Sequence, residues 1–475
     1  MRRRDFSTKA TRQRRRFAVY ASLVCLGLGA TAWNSATAED WPAYRHDNHR
    51  SGMTPEAINA ATLQQQWVHQ ADHSPQPAWA GPAKWDAYHN MRGLRSMRNY
   101  DPVFHAIVVG TSLYFGSSAD DTVYCLDTIT GKEMWSFCTD GPVRLAPAYS
   151  DGKLYFGSDD GHAYCVGATD GALVWKYSPR PQGRLVLNNG RFIPFWPCRT
   201  GVLVDDGTAY FAAGMLPWKE SYLCAVDAQT GSPQGPGRFV REQSDLTMEG
   251  AMVASARRLI VPQGRIPPLL FNRDDGKSLG PLKEGGGGCF VLLTGDSHIL
   301  HGPGNKAGWI TDTDVKANTK IASYSNGNAI VVSGDTAYLL TDDSLMAVDR
   351  SSRKTTWQAT CRYPHELIMA GEVLFAGGED DVAAFSAKGG DLLWRGRVSG
   401  RAYGLAVANG ALFVSTDEGA IHCFRPGKKI EGPVAAPARL PMHVEEQIPP
   451  ERVTLATGPY VQFVSADSAV AHWRT

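Results

Sequence analysis

A ring of eight four-stranded blades, a β-propeller, is the fold class the sequence predicts, followed by a linker and the start of a second β domain. Three observations predict it. One segment recurs along the chain, with two of its tryptophans 40 residues apart. Each copy reads as short alternating strands between Gly, Asp and Asn turns. The 475 residues also carry 49 Gly, 13 Trp and 17 Tyr, a composition of tight turns and large aromatics that favours strands.

The first 38 residues hold eight of the 48 basic side chains and one of the 47 acidic ones, then an apolar run, Phe17 to Trp33, and the small residues SATA before Glu39. This is the order of a secretory signal peptide over 1–38, with Ala36 and Ala38 placed for cleavage, and it predicts a periplasmic or secreted protein. The run is short for a membrane span, which needs about 20 apolar residues. An uncleaved N-terminal anchor stays open as the alternative, and no other membrane span is expected. RRRDFSTK resembles a twin-arginine export signal, although the apolar run starts only at Phe17. The remainder carries 40 basic against 46 acidic residues, without the electrostatic footprint of a phosphate-backbone binder, so nucleic acid is excluded as a partner.

Residues 39–62 read as an N-terminal arm and 63–427 as the ring. LYFGSSADDTVYCLDTITGKEMW (Leu113 to Trp135) recurs as LYFGSDDGHAYCVGATDGALVW (Leu154 to Trp175), and weaker copies start at Ala209, Ala337, Val373 and Leu412. Two more units are implied between Arg258 and Lys320, without the tryptophan. In each strong copy an Asp, Thr and Gly (Asp127, Thr130 and Gly131) build the hairpin before the outer strand, because Asp bonds its own backbone and Gly accepts positive φ. The tryptophan four residues on (Trp135, Trp175, Trp394, with Trp357 in the same register) is spaced to pack on the neighbouring blade. The last unit lacks an outer strand after Phe424, and TLQQQW supplies one: Leu63 and Trp67 keep the outer-strand spacing, so residues 63–69 are expected to clasp the ring. Leu63 to Phe424 spans 362 residues, which eight units divide into about 45 each.

Eight cysteines follow the signal. Cys125, Cys165 and Cys423 share one register in different repeats and Cys224 is one residue off, so these read as small buried hydrophobes rather than disulfide partners.

The pattern D-x-x-T-G-x-x-x-W after a Y-C-L or L-C-A strand resembles the tryptophan-docking repeat of PQQ-like (pyrroloquinoline-quinone-like) propellers over most of residues 63–425, and WPAYRHDNHRSG (Trp41 to Gly52) is similar to the lead-in before such rings. That family includes quinoprotein dehydrogenases and non-catalytic scaffolds. A dehydrogenase needs a quinone over the channel, a Ca²⁺ held by carboxylate and amide oxygens, and a carboxylate base. No such set can be carried over, and no two cysteines are adjacent. The expected function is therefore an exported, non-catalytic binding or scaffold module without PQQ or Ca²⁺; the alternative is a PQQ-dependent dehydrogenase.

Residues 428–452 form a proline-rich linker. In 453–475, Tyr460, Gln462 and Phe463 precede a turn at Ala466 and Asp467 and an alternating strand to Trp473. This resembles the opening of the fibronectin-type-III-like domain ahead of the catalytic domain in purple acid phosphatases and related metallophosphoesterases. The resemblance implies a β-sandwich cut off after two strands, and a longer parent protein with a two-metal phosphoesterase site behind the propeller.

Candidate site residues are few. Arg144 and Arg199 lie seven residues before the same turn aspartate of consecutive blades, Asp151 and Asp206, which places them side by side at the channel mouth with Glu249 near the equivalent position next. They form either an anion-binding mouth or a solvated, salt-bridged pair. The long connection from Ala71 to His105 carries Trp79, Trp85, Arg92, Arg95 and Arg98 and is either a functional insertion or a solvated basic rim. His46 and His49 have metal-ligand spacing but no third ligand. The partner, whether protein, polysaccharide or small anion, stays open.

Overall fold

The structure is a computed structural model that describes residues 38–79, 100–180, 185–188, 190–264, 266–288, 290–294, 298–304, 309–427, 457–465 and 468–474; these belong to one compact unit, Thr37–Thr475. Residues 1–37 of the expected signal peptide (1–38), Trp85, Arg92, Arg95, Arg98, Cys289 and the expected linker over 428–452 lie outside the described residues. Among the described residues there are 36 strands and a single short 3-10 helix, Ala60–Thr62, and no helix is long and apolar enough to cross a membrane.

Each repeat folds as its local chemistry directs. Strand Thr122–Asp127 pairs antiparallel with Ser112–Gly116 on one side and Glu133–Cys138 on the other. At the turn into the outer strand Asp127 Oδ1 accepts the Thr130 amide and hydroxyl, both at 2.7 Å, and the Gly131 amide donates to Asp127 O at 2.8 Å with φ of +68°. Asp227, Thr230 and Gly231 build the same turn two repeats later.

Six four-stranded antiparallel sheets follow one another, with first strands Ala106–Val109, Ala148–Ser150, Leu203–Asp205, Val253–Ala254, Phe290–Leu293 and Ala329–Ser333. An eight-stranded sheet completes the series. It is two more such meanders, joined because Leu392–Ala408 is the outer strand beside Glu379–Ser386 and then the inner strand beside Ala411–Thr416. The ring closes where Leu63–Gln70 pairs with Ala420–Pro426 and sets Trp67 opposite Cys423. A two-stranded hairpin, Leu185–Asn188 with Arg191–Pro194, is inserted between the second and third sheets. Thr457–Ser465 and Ser468–Arg474 form a separate antiparallel pair, the two strands expected of the C-terminal segment.

The sheets are held together by aromatic rings docked on glycines. Each indole donates to a carbonyl of the next repeat: Trp67 to Thr128, Trp135 to Ala168, Trp175 to Ala228, Trp357 to Ala387 and Trp394 to Leu63, all at 3.0–3.1 Å. The rings of Trp67, Trp135, Trp175 and Trp357 lie against Gly131, Gly171, Gly231 and Gly390, all at positive φ. In the third sheet Phe239 does the same against Gly276, so the tryptophan that the sequence lacks there is replaced by phenylalanine. A methyl group on Gly171 meets Trp135 Cε3 at 2.6 Å, and an L-residue is strained at that φ of +70°. Gly171→Ala is therefore expected to cost about 2–4 kcal/mol, from overpacking and backbone strain together, read as a lower urea midpoint.

Cys125, Cys165, Cys224 and Cys423 are buried free thiols, and so are Cys198 and Cys361; Cys138 is exposed.

The N-terminal arm does more than lead into the ring. Its residues bond every inner strand in turn or the residue beside it. Trp41 exchanges amide bonds with Val108, Pro42 O accepts from Tyr149, and Asn48 reaches Val204 O. Arg50 donates to Met252 O, His49 O accepts from Leu293, and Arg45 reaches Ile330 O. Met53–Thr54 pairs in parallel with Met369 and Ala370, and Glu39 O accepts from Asn409. Most of these contacts lie toward the carboxyl ends of the inner strands, so the arm covers that end of the channel, while the Arg50 and Arg45 side chains reach past it to Met252 and Ile330 at the amino ends. His46 stacks edge-on against Trp41 with centroids 5.1 Å apart, and among the described residues no group of three or more His, Cys, Asp or Glu is placed to hold a metal ion.

Candidate functional site at the channel mouth

At the opposite end of the same strands three residues share one register: Arg144, Arg199 and Glu249 each stand four positions before an inner strand, those starting at Ala148, Leu203 and Val253. The arginines meet as the register predicts, but over a carboxylate of the chain itself. Asp159, just past strand Lys153–Gly157, accepts Arg199 Nε on Oδ1 at 2.9 Å and Arg199 Nη2 on Oδ2 at 2.8 Å. Arg144 Nε donates to the same Oδ2 at 2.8 Å. Arg144 Nη1 continues to Asp101 Oδ2 at 2.8 Å and Gln76 O at 2.7 Å, and Asp101 Oδ2 also takes the Ala78 amide at 2.9 Å.

Two insertions close over this cluster. From the Ala71–His105 connection, the Trp79 ring lies 5.6 Å from Arg199 Cζ, and its Nε1 donates to Glu249 Oε2 at 2.8 Å. From the inserted hairpin, Asn188 Oδ1 accepts Arg199 Nη2 at 2.9 Å, and Arg191 pairs with Asp121.

Burial sets the electrostatics. The side chains of Arg199 and Asp159 are 0% exposed. Burial alone raises the Asp159 pKa, but two guanidiniums outweigh it and hold the carboxyl below its ordinary value. Asp101 has one close guanidinium, Arg144, and there burial wins and the pKa rises. Burial works against the Arg199 charge, and Asp159 more than restores it, so its pKa is raised. Of the two alternatives the structure has the salt-bridged pair, buried rather than solvated, and the carboxylate it holds is Asp159. Both oxygens of Asp159 are occupied, and neither is positioned as a base or a nucleophile. Three atoms of this region, Arg199 Nη1, Asp101 Oδ1 and Tyr100 Oη, are buried without a hydrogen-bond partner among the described residues.

Sequence reasoning missed Asp159 and Asp101 as partners. Asp159 sits in a G-S-D-D-G turn and read as turn chemistry, and Asp101 lies in a connection without periodicity. The signal that could have found Asp159 is its neighbour: Asp160 already takes the local turn bonds, to the His162 amide and the Tyr164 hydroxyl.

Comparison with known proteins places this geometry in context. The chain is 31% identical over 120 residues to the dehydrogenase subunit of an alcohol dehydrogenase (quinone) from Gluconobacter oxydans (strain 621H), a match covering 22% of this chain and 15% of that protein. In overall fold it is similar to a quinohemoprotein alcohol dehydrogenase from Comamonas testosteroni (TM-score 0.59, 15% identity, 83% of this chain and 82% of that one). It is also similar to a europium-containing methanol dehydrogenase (TM-score 0.55, 13% identity, 79% and 89%). At these identities the structural likeness shows the fold, a β-propeller. A family model described as outer membrane protein assembly factor BamB matches residues 85–266 and 341–428. That is more than half of the chain, and the protein belongs to this family of PQQ-like repeat propellers.

Proposed function

We propose that the chain is an exported, non-catalytic propeller of eight blades that acts as a binding or scaffold module. The observation that supports this reading is the state of the channel mouth. A planar, polyanionic quinone needs an open face with free cationic donors and oxygen ligands for a cation. Here the two arginines are committed to Asp159 and Asp101, Trp79 lies on the Arg199 guanidinium, and the central ion pair is fully buried. These residues do not fit such a group.

The C-terminal strand pair, with its G-P-Y-x-Q start, supports a further step: the propeller is the front end of a longer metal-dependent phosphoesterase. The reading frame beyond Thr475 tests this step. Downstream Asp, His and Asn metal-ligand motifs support it, and a stop codon directly after Thr475 removes it.

A second reading, a PQQ-dependent dehydrogenase, is favoured by the local identity to a quinone alcohol dehydrogenase. The two are separated by adding PQQ and Ca²⁺ to the purified chain and following dye reduction with ethanol, methanol and glucose. No turnover is expected; turnover establishes the second reading.

A further inference from the structure

At the end of the channel that the arm covers, the cover has one gap. His49 O takes the Leu293 amide of the fifth sheet, and Gly52 O takes the Met369 amide of the seventh. Between them the arm turns inward, with Arg50 on Met252 O and Asp47 O. The sixth sheet, between those two, takes a hydrogen bond from the arm only at Ile330 O, from Arg45, among the described residues. Above the end of its inner strand the arm leaves a cleft of about 720 Å³, walled by arm residues from His46 to Pro55 on one side and by Leu293, Val332, Ser333, Asp335 and Met369 on the other. That volume is in the range of specific small-molecule sites.

The chemistry of the lining selects its occupant. Asp47 is committed to its own loop, accepting the His49 and Ser51 amides and the Ser51 hydroxyl. Arg350, at the rim, is committed to Asp312 and His298. The side chains of His49, Ser333 and Asp335 make no hydrogen bond within the chain among the described residues and remain to meet a ligand. Carboxylates at Asp47 and Asp335 repel an anion, and among the described residues no group of three or more His, Cys, Asp or Glu is placed to hold a metal ion. A carboxylate accepts two hydroxyls on adjacent carbons, an imidazole both donates and accepts, and a serine hydroxyl does the same. Val332, Leu293 and Met369 offer an apolar strip for C–H groups.

We infer that this cleft binds a neutral, polyhydroxylated ligand, a short saccharide, with Asp335 accepting a vicinal diol and His49 and Ser333 bonding the next hydroxyls. The inference deepens the reading of the chain as a binding module, and it stands or falls on different data, since quinone binding concerns the other end of the channel. Among the described residues no Trp, Tyr or Phe lines the cleft, so a dissociation constant on the order of 0.1–1 mM is expected.

Maltotriose, cellotriose and triacetylchitotriose, titrated into the full chain by calorimetry and by saturation-transfer NMR, are the probes. Binding of at least one is expected, weakened about tenfold or more in Asp335→Ala and weakened also in His49→Ala, with unchanged urea midpoints showing that both variants are folded. Ser333→Trp, which fills the cleft, is expected to abolish binding. The inference is overturned if none of the three binds at about 10 mM, if Asp335→Ala binds as well as the wild type, or if inorganic phosphate competes for the same site.

Discussion

Asp159→Ala is expected to lower the unfolding free energy by about 3–5 kcal/mol, more than either arginine substitution. The reason is what each change leaves behind. Without Asp159, two guanidiniums face one another in a region where the Arg199 side chain is fully buried, and only Arg144 keeps a carboxylate, Asp101. Arg199→Met, by contrast, leaves Asp159 paired with Arg144 and replaces a stem of similar length. Asp159→Asn is expected between the two, since it keeps hydrogen-bond acceptance and loses the charge. Urea unfolding of the variants gives the order directly. A loss below about 1 kcal/mol for Asp159→Ala, the scale of an exposed ion pair, contradicts the buried network.

Acidification is expected to have a comparable effect. Burial pushes the pKa values of His69, His105, His301 and His422 down to about 4, so these rings are neutral in the fold while in the unfolded chain they titrate near 6.5. A base with a depressed pKa in the fold contributes stability that is intact above 6.5 and is lost as pH falls toward 4, because the unfolded state takes up the protons. At pH 5 each histidine accounts for a loss of about 2 kcal/mol relative to pH 7. Asp121 works in the opposite sense: burial raises its carboxyl to about 6, so its ionised form is disfavoured in the fold, and acidification returns about 1 kcal/mol. Asp101, also raised, acts in the same direction as Asp121. The four histidines and Asp121 together give an expected loss of about 7 kcal/mol between pH 7 and pH 5, which Asp101 reduces, seen as a steep fall in the urea midpoint across that window. A midpoint that is flat over it contradicts the burial of these rings.

The ring was legible because the strong copies carry their own turn and their own docking tryptophan, at Trp135, Trp175, Trp357 and Trp394, so local chemistry and the global fold agree four times over. Phe239 was not. Seven residues, 232–238, stand before it where the other repeats have three, so it lies eight positions after Gly231 instead of four, and only the contact with Gly276 reveals its role. The clasp was legible from the spacing of Leu63 and Trp67. The reach of the arm was not, since its bonds to the inner strands run largely through backbone carbonyls and amides, which leave no trace in side-chain pattern. At the mouth, register alone brought Arg144, Arg199 and Glu249 together. What they bind could not be read, because Asp101, Trp79 and Asn188 arrive from insertions without periodicity, and Asp159 was hidden inside an ordinary turn motif.

A closed mouth, with its arginines ion-paired to the chain's own carboxylates, is tested most directly by equilibrium titration of the purified chain with PQQ in the presence of Ca²⁺, followed by tryptophan fluorescence. No saturable change is expected up to about 100 μM PQQ, weaker than a cofactor site requires, and the same flat titration is expected for Trp79→Ala. Stoichiometric binding at micromolar PQQ contradicts the account, most sharply if Arg199→Met abolishes it.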